Sequence, residues 1–348
     1  MNSPAINFNA VSQDNSTDSL FDRIWYGKHP ASAFLAPIGL LYRSVVSLRK
    51  TAYSSGLLQT YDPGVPIIIV GNLTVGGTGK TPLVIWLARF LQSQGYKPGI
   101  VSRGYGGRAK TWPQQVRPDS DPNVVGDEAI VIARRTDCPI AVGPNRAENV
   151  RALMEHADVD VVISDDGLQH YRLHRSVEIA VVDGVRRFGN GRCLPAGPLR
   201  EPLSRLKEVD MIVTNGIAGR GEFAMNYRMN QVNSLKGDKP ALPIEAFNSK
   251  KAHAVAGIGH PEKFFSMLRS KGILCERHPF RDHKKFRTQD LVFDDDLPVL
   301  MTEKDAVKCE NFALDNSWYI PIEAELPEVF GHRLNTTLEG AVSGQETA

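Results

Sequence analysis

Residues 67–82 read Ile67-Ile68-Ile69-Val70-Gly71-Asn72-Leu73-Thr74-Val75-Gly76-Gly77-Thr78-Gly79-Lys80-Thr81-Pro82, and this stretch decides the fold. The β-branched run at its start predicts a strand buried on both faces, the kind that parallel sheets contain. The glycine-rich run that follows leads into an apolar pattern of helical period ending near residue 94. Strand, loop and helix in this order give Gly79-Lys80-Thr81 the context of a phosphate-binding loop. Thr74, Val75, Gly76, Gly77, Thr78 and Gly79 are expected to turn backbone N–H groups toward phosphate oxygens, aided by the positive end of the helix. Lys80 would reach the β and γ phosphates of a nucleotide, and the Thr81 hydroxyl would ligate Mg2+. Pro82 is compatible with the helix, because a first-turn N–H has no intrahelical partner to lose. The G-x-x-x-x-G-K-[ST] pattern is breached at its first position, where Thr74 stands in place of glycine.

Working outward, short β-branched runs alternate with helical patterns, which predicts the α/β class. The expected architecture is a P-loop NTPase-like parallel sheet domain with a second, smaller α/β domain and an N-terminal amphipathic helix. Strands are expected at 67–71, 99–102, 139–142, 159–164, 178–182 and 211–214, with helices at 82–94, 127–135 and 146–156. A second set of strands falls near 253–256, 274–278, 299–302 and 318–321. The boundaries read as a disordered leader at 1–20, a helical membrane-interface segment at 21–60, the nucleotide-binding and catalytic domain at 61–217, a polar linker at 218–240, the smaller domain at 241–331 and a flexible tail at 332–348. A chain of 348 residues is long for one core and comfortable for two.

Composition narrows the function classes. Hydrophobic residues make up 42% and charged residues 23%, enough apolar material for packed cores. A net charge of +2 lacks the basic excess of a general nucleic-acid binder, so no nucleic-acid partner is expected and any anionic ligand must be met by local arginines. Cys138, Cys193, Cys275 and Cys309 form no C-x-x-C pair, which gives no zinc motif and no disulfide framework and fits a reducing cytoplasm. Residues 1–20 are polar and do not read as a cleavable signal peptide. Within 33–48, Phe34, Leu35, Ile38, Leu41, Tyr42, Val45 and Leu48 recur at helical spacing, and Arg43 interrupts the apolar run. That segment is too short to span a bilayer and reads either as an interfacial helix or as one packed on the protein's own core.

The acidic candidates for chemistry fall at element ends. Asp165 and Asp166 close an expected strand, where one of them can serve the metal, and turn formation is their plainer role. Asp127 opens an expected helix, either as its N-cap or as the base that takes a proton from an acceptor hydroxyl. His170 and His174 sit at i, i+4 without the glutamate of H-E-x-x-H, which makes a zinc reading weak. Arg103, Arg108, Arg146, Arg187, Arg192 and Arg200 lie in or near loops and are suited to clamping phosphate.

Taken as an ordered set, these residues resemble a known family. Trp25-Tyr26-Gly27, the stretch from Val70 to Pro82, Ser102-Arg103-Gly104-Tyr105-Gly106, Gly126-Asp127-Glu128, Asp165-Asp166-Gly167-Leu168-Gln169-His170, Pro195-Ala196-Gly197-Pro198-Leu199-Arg200-Glu201, Gly257-Ile258-Gly259, Asp282-His283 and Thr302-Glu303-Lys304-Asp305 look like the tetraacyldisaccharide 4'-kinases of lipid A synthesis. Thr74 is usual in that family. The resemblance implies transfer of the γ-phosphate of ATP, with Mg2+, to the 4'-hydroxyl of a glycolipid, tetraacyldisaccharide 1-phosphate. It places the enzyme as a peripheral protein at the inner-membrane surface, on the cytoplasmic face. It implies Asp127 as catalytic base with His283 as its partner, chosen over His260 and His278 by the Asp282-His283 pair. It assigns Thr81 and Asp166 to magnesium, and Arg146, Gln169, His170, Arg200 and Glu201 to the substrate side. No obligate protein partner is evident.

Two other readings stay open on the residues alone. One is a P-loop kinase for another small sugar or nucleotide. The other is a nucleotide-dependent switch or metal-delivery GTPase, against which stands the missing N-K-x-D guanine motif.

Overall fold

The computed structural model describes residues 20–312 and 314–346, so the leader expected at 1–20 lies outside the described residues except for Leu20. Among the described residues three helices come first, α1 (Leu20–Tyr26), α2 (Ala31–Phe34) and α3 (Ala36–Ser54). The first sheet region then runs β1 (Ile67–Gly71), α4 (Lys80–Ser93), β2 (Pro98–Ser102), β3 (Gln114–Val116), α5 (Pro122–Val125), α6 (Asp127–Arg135), β4 (Ile140–Val142), α7 (Arg146–His156), β5 (Val161–Asp165), β6 (Val177–Asp183), β7 (Met211–Asn215) and β8 (Phe223–Arg228). The remainder runs β9 (Gln231–Ser234), β10 (Leu242–Pro243), β11 (Lys251–Ala256), α8 (Pro261–Ser270), β12 (Leu274–Pro279), β13 (Val299–Thr302), α9 (Glu303–Cys309), β14 (Ser317–Ile320), β15 (Glu323–Glu325) and α10 (Glu328–Glu346).

The larger sheet has nine strands in the order β15-β8-β7-β6-β1-β5-β2-β4-β3. It is parallel except at its two edges, where β15 and β3 pair antiparallel. All five residues of β1 are buried, with Ile68 and Val70 in the core on one face of the sheet and Ile67 and Ile69 in the core on the other. That two-sided burial is why the strand reads as a continuous apolar run. The smaller sheet has the order β10-β9-β14-β13-β11-β12 and its own two cores, one around Phe264, Phe265 and Trp318, the other around Phe286 and Met301.

Two expectations are corrected. The polar linker at 218–240 contains β8 and β9, one in each sheet. Its apolar signal is thin because the strands are only six and four residues long, β8 turning polar after Phe223-Ala224-Met225 and β9 carrying Val232 alone among polar neighbours. The flexible tail is instead the body of α10, whose Phe330, Leu334 and Leu338 are fully buried in the larger domain's core. Three anchors at i, i+4 and i+8 suffice to dock a helix that is polar elsewhere. The chain therefore returns to the first domain after the second is complete, through β15 and α10.

Candidate active site

In the larger sheet, carboxyl ends of parallel strands converge on one cleft. Asp165 ends β5, Ser102 ends β2, Asp183 ends β6 and Asn215 ends β7, and all four line a cleft of about 440 Å³ with the loop after β1. This is where open α/β sheets bind ligands. The opposite wall comes from the smaller domain through Ile258, Gly259, His260, Lys263, Asp282, His283 and Lys304.

The phosphate loop is shaped by its neighbours. Gly79 has φ +94°, and a Cβ there would stand 1.9 Å from the Tyr227 hydroxyl, so both conformation and space demand glycine. Asn215 holds the loop by donating to the Thr78 carbonyl at 3.2 Å and to Tyr227 Oη at 2.7 Å. Lys80 opens α4, two residues earlier than the helix was expected to start, and donates to Asn72 Oδ1 at 3.1 Å. Gly76 and Gly77 face open space, since a Cβ on either would meet nothing within 4 Å. Backbone bared in this way before a helix N-terminus fits a polyphosphate.

Asp166 sits at φ +51° and forms ion pairs with Lys80 at 3.3 Å and Arg200 at 3.1 Å. Burial alone would raise its pKa, but the Lys80 and Arg200 charges outweigh that and hold the carboxyl well below the usual range. Asp165 is the opposite case. Burial and the Glu128 charge push its carboxyl up to about 6, and its Oδ1 has no hydrogen-bond partner. Two carboxylates and the Thr81 hydroxyl are hard oxygen donors of the kind Mg2+ takes, and the unpartnered Asp165 Oδ1 fits a role beside such a cation.

Asp127 is not among the cleft-lining residues: it is buried at the first position of α6, and it is not the helix cap, because Gly126 occupies that place with φ +91°. Asp127 Oδ1 accepts the Glu128 N–H at 2.9 Å, while Oδ2 lies 3.3 Å from His283 Nδ1 and 3.8 Å from Lys308 Nζ. Burial pushes its pKa up, and the His283 hydrogen bond with the Lys304, His283 and Lys308 charges brings it below the ordinary carboxylate value. His283 is raised in return, chiefly by the hydrogen bond to Asp127. Lys304 ties the two domains, donating to Glu128 at 2.9 Å and Asp282 at 3.2 Å, with His283 Nε2 at 3.5 Å. Those acids, outweighing burial, hold its pKa above the usual lysine value.

The other expected residues divide. Arg200 lines the cleft, and Gln169 supports it from behind, its Nε2 donating to the Asn72 carbonyl at 3.2 Å. Arg146 and Glu201 do not reach the cleft. Arg146 is 2% exposed and donates to the carbonyls of Gly143 and Asp165, so it positions the aspartate pair from beneath. Glu201 is 1% exposed and accepts from Tyr171 Oη at 2.8 Å, with Arg205 Nε at 3.3 Å. His170 is kept neutral, its pKa lowered to about 4 by burial and by Arg146. Sequence reading missed Asn72, Asn215, Tyr227 and Lys304. Tyr227 lay in the supposed linker, and Lys304 was visible only as part of a motif without a role.

A glycine-rich loop shaped for phosphates at the carboxyl edge of a parallel sheet, with Lys80 and Thr81 opening the helix behind it, makes this molecule a P-loop kinase. Residues 31–339 match the family model of tetraacyldisaccharide-1-P 4'-kinase, and the chain belongs to that family of ATP-dependent lipid A kinases. A tetraacyldisaccharide 4'-kinase of Nitrosococcus oceani is 54% identical over 323 residues, covering 93% of this chain and 95% of its own. One from Hahella chejuensis is 46% identical, covering 91% and 96%. A crystal structure of the Aquifex aeolicus family member LpxK in complex with ATP superposes with a TM-score of 0.74 at 26% identity, covering 88% of this chain and 99% of that one. The readings as a different small-molecule kinase or a GTPase are thereby set aside, and ATP with Mg2+ are the cofactors.

Proposed function

We propose that the chain carries out its phosphoryl transfer with Asp127 as the base for the 4'-hydroxyl of tetraacyldisaccharide 1-phosphate, while lying on the cytoplasmic face of the inner membrane. The observation that carries this is the Asp127–His283 pair, 3.3 Å apart, in which His283 lines the cleft that the phosphate loop also lines and Asp127 is buried against it. A sugar hydroxyl is too weak an acid to ionise at neutral pH, so its proton leaves as the new bond forms. The sugar O–H bond breaks and its proton passes to Asp127, the sugar oxygen bonds to the γ-phosphorus, and the bond to the β–γ bridging oxygen breaks to leave ADP. Lys80 stands where it offsets charge gathering on the leaving phosphate, and His283 holds the Asp127 carboxylate in line. Thr81 and Asp166 would hold Mg2+, which when bound neutralises phosphate charge.

The membrane half of the proposal rests on α3. Gly39 is its one fully buried residue, pressed against the carbonyl of Cys193, while Ile38, Leu41, Val45 and Leu48 form an exposed apolar stripe. Phe34 just before α3 and Leu57 just after it are exposed as well, and this exposure favours the interfacial reading over the core-helix one. No helix among the described residues is long and apolar enough to cross a membrane. The test is incubation of the full chain with γ-labelled ATP and the disaccharide lipid in mixed micelles, against a lipid-free control. Label recovered in the lipid supports the proposal. Label released only as inorganic phosphate at the same rate with and without lipid refutes it.

A further inference from the structure

Away from the cleft, the smaller domain carries a cluster that the kinase chemistry does not use. His253 on β11 stands directly opposite Glu276 on the parallel neighbour β12. His278, two residues beyond Glu276, emerges on the same face. The three side chains bring His253 Nδ1, His278 Nε2 and a Glu276 carboxylate oxygen within 4.8 Å of one another. His253 Nδ1 and His278 Nε2 are 3.0 Å apart, and Glu276 Oε2 is 3.9 Å from His253 Nδ1.

The outer partner fixes the chemistry of the inner one. His253 Nε2 lies 3.0 Å from Asp295 Oδ1, and a carboxylate only accepts, so that nitrogen carries the proton. With the proton on Nε2, the lone pair of Nδ1 is the atom that faces His278. A carboxylate behind a histidine whose other nitrogen faces a second histidine and a carboxylate is the arrangement that orients zinc ligands. Two nitrogens bound to one tetrahedral Zn2+ stand about 3.3 Å apart, a few tenths of an ångström from the spacing here. The cluster is roofed by Phe293, whose ring stacks on His253 at 3.7 Å and tilts against His278 at 4.5 Å.

We propose that His253, His278 and Glu276 form a binding site for a zinc-class divalent cation, with Asp295 orienting His253 and the fourth position left to water. Two imidazoles and one carboxylate suit Zn2+ better than Mg2+, which separates this site from the magnesium of the kinase reaction. It sits on the strand that runs straight into the Asp282–His283 segment, so occupancy braces the root of that segment.

The test uses the tag-free full chain without nucleotide, titrated with ZnCl2 by calorimetry, and with Co2+ followed by its visible absorption. One cation per chain with the intense spectrum of tetrahedral cobalt is expected. His278→Gln should abolish that spectrum, and Asp295→Asn should weaken Zn2+ binding by about 10–100-fold. Glu276→Gln alters an exposed side chain and keeps the test open if His278→Gln disturbs folding; it too should weaken binding by at least about tenfold. Absence of stoichiometric binding by the wild-type chain, or equal binding by folded His278→Gln and Glu276→Gln variants, overturns the site.

Discussion

The two walls of the cleft are built in different ways. The nucleotide wall comes from one run of sequence, in which a strand buried on both faces delivers the loop and the loop delivers Lys80 to the first turn of α4. The acceptor wall is gathered from three places: Asp127 at the start of α6, His283 in a segment after β12, and Lys304 in the first turn of α9. Local backbone geometry sets the first wall, whereas contacts between two domains set the second. Damage to the nucleotide wall should therefore stay local. Damage to the acceptor wall should be coupled, because each member holds its neighbours in register.

The largest effect is expected at Asp127. Asp127→Asn keeps the size and can still accept the Glu128 N–H, but it cannot take a proton, so kcat should fall by ~100–10,000-fold with ATP affinity nearly constant. His283→Ala should cost less, and the double variant little more than Asp127→Asn alone, as for groups acting as a unit. His283 helps to hold the Asp127 pKa low, so its removal should move the acid limb of the kcat/KM profile to higher pH. Additive losses, or an acid limb that stays in place, would break the coupling assigned to this wall.

On the nucleotide wall, Lys80→Ala should lower kcat by about 100–1,000-fold, the range for loss of one preorganised charge donor. It also frees Asp166 of one of its two cations, so the carboxyl pKa should rise toward the ordinary value. The acid limb set by Asp127 should not move. A shift of that limb in Lys80→Ala would show the walls to be coupled and the contrast between them to be wrong.

The same contrast explains what was legible in the sequence. The strand at 67–71, the helices at 127–135 and 146–156 and the loop carrying Lys80 announce themselves because period, burial and punctuation are local signals. The residues of the acceptor wall could be named only through family likeness, since nothing in the spacing of Asp127, His283 and Lys304 shows that they meet. Arg146 and Glu201 were misplaced for a related reason. A buried arginine that braces backbone carbonyls and a cleft arginine that clamps phosphate look alike in sequence, and only their 2% and 27% exposures separate them here. Asp127 as a cap was a sound local reading, overruled because Gly126 adopts a backbone conformation that places the cap one residue earlier.

The walls also differ in what lies outside them. The nucleotide wall is continuous with α3, since the Tyr42 hydroxyl donates to the Arg200 carbonyl at 3.2 Å. Leu41→Glu alters the exposed stripe without touching that bond, so folding should be unaffected while vesicle partition drops by about tenfold or more. Turnover of a detergent-dispersed substrate should change far less than turnover of the same lipid in vesicles. An unchanged vesicle partition with a lowered melting temperature would return α3 to the role of a core helix.

The smallest effect is expected at Thr302, which caps the helix that carries Lys304. Its Oγ1 accepts the Asp305 N–H at 3.2 Å and donates to Asp305 Oδ2 at 2.7 Å, while Asp305 Oδ2 also takes the Gly257 N–H at 2.8 Å. Thr302→Ala removes the cap but leaves Asp305 its bonds to Gly257 and Lys308, so the helix should persist with a stability loss of ~0.5–2 kcal/mol. Lys304 is held independently by Glu128 and Asp282, which belong to different domains and do not depend on the cap. Catalysis well below the melting temperature should therefore fall no more than a few-fold. Denaturant melts paired with single-turnover rates separate the two outcomes. A rate loss comparable to that of His283→Ala, at a stability cost within the capping range, would mean that the pitch of α9 itself tunes the Asp127–His283 pair. The acceptor wall would then be a more finely balanced assembly than three tethered side chains.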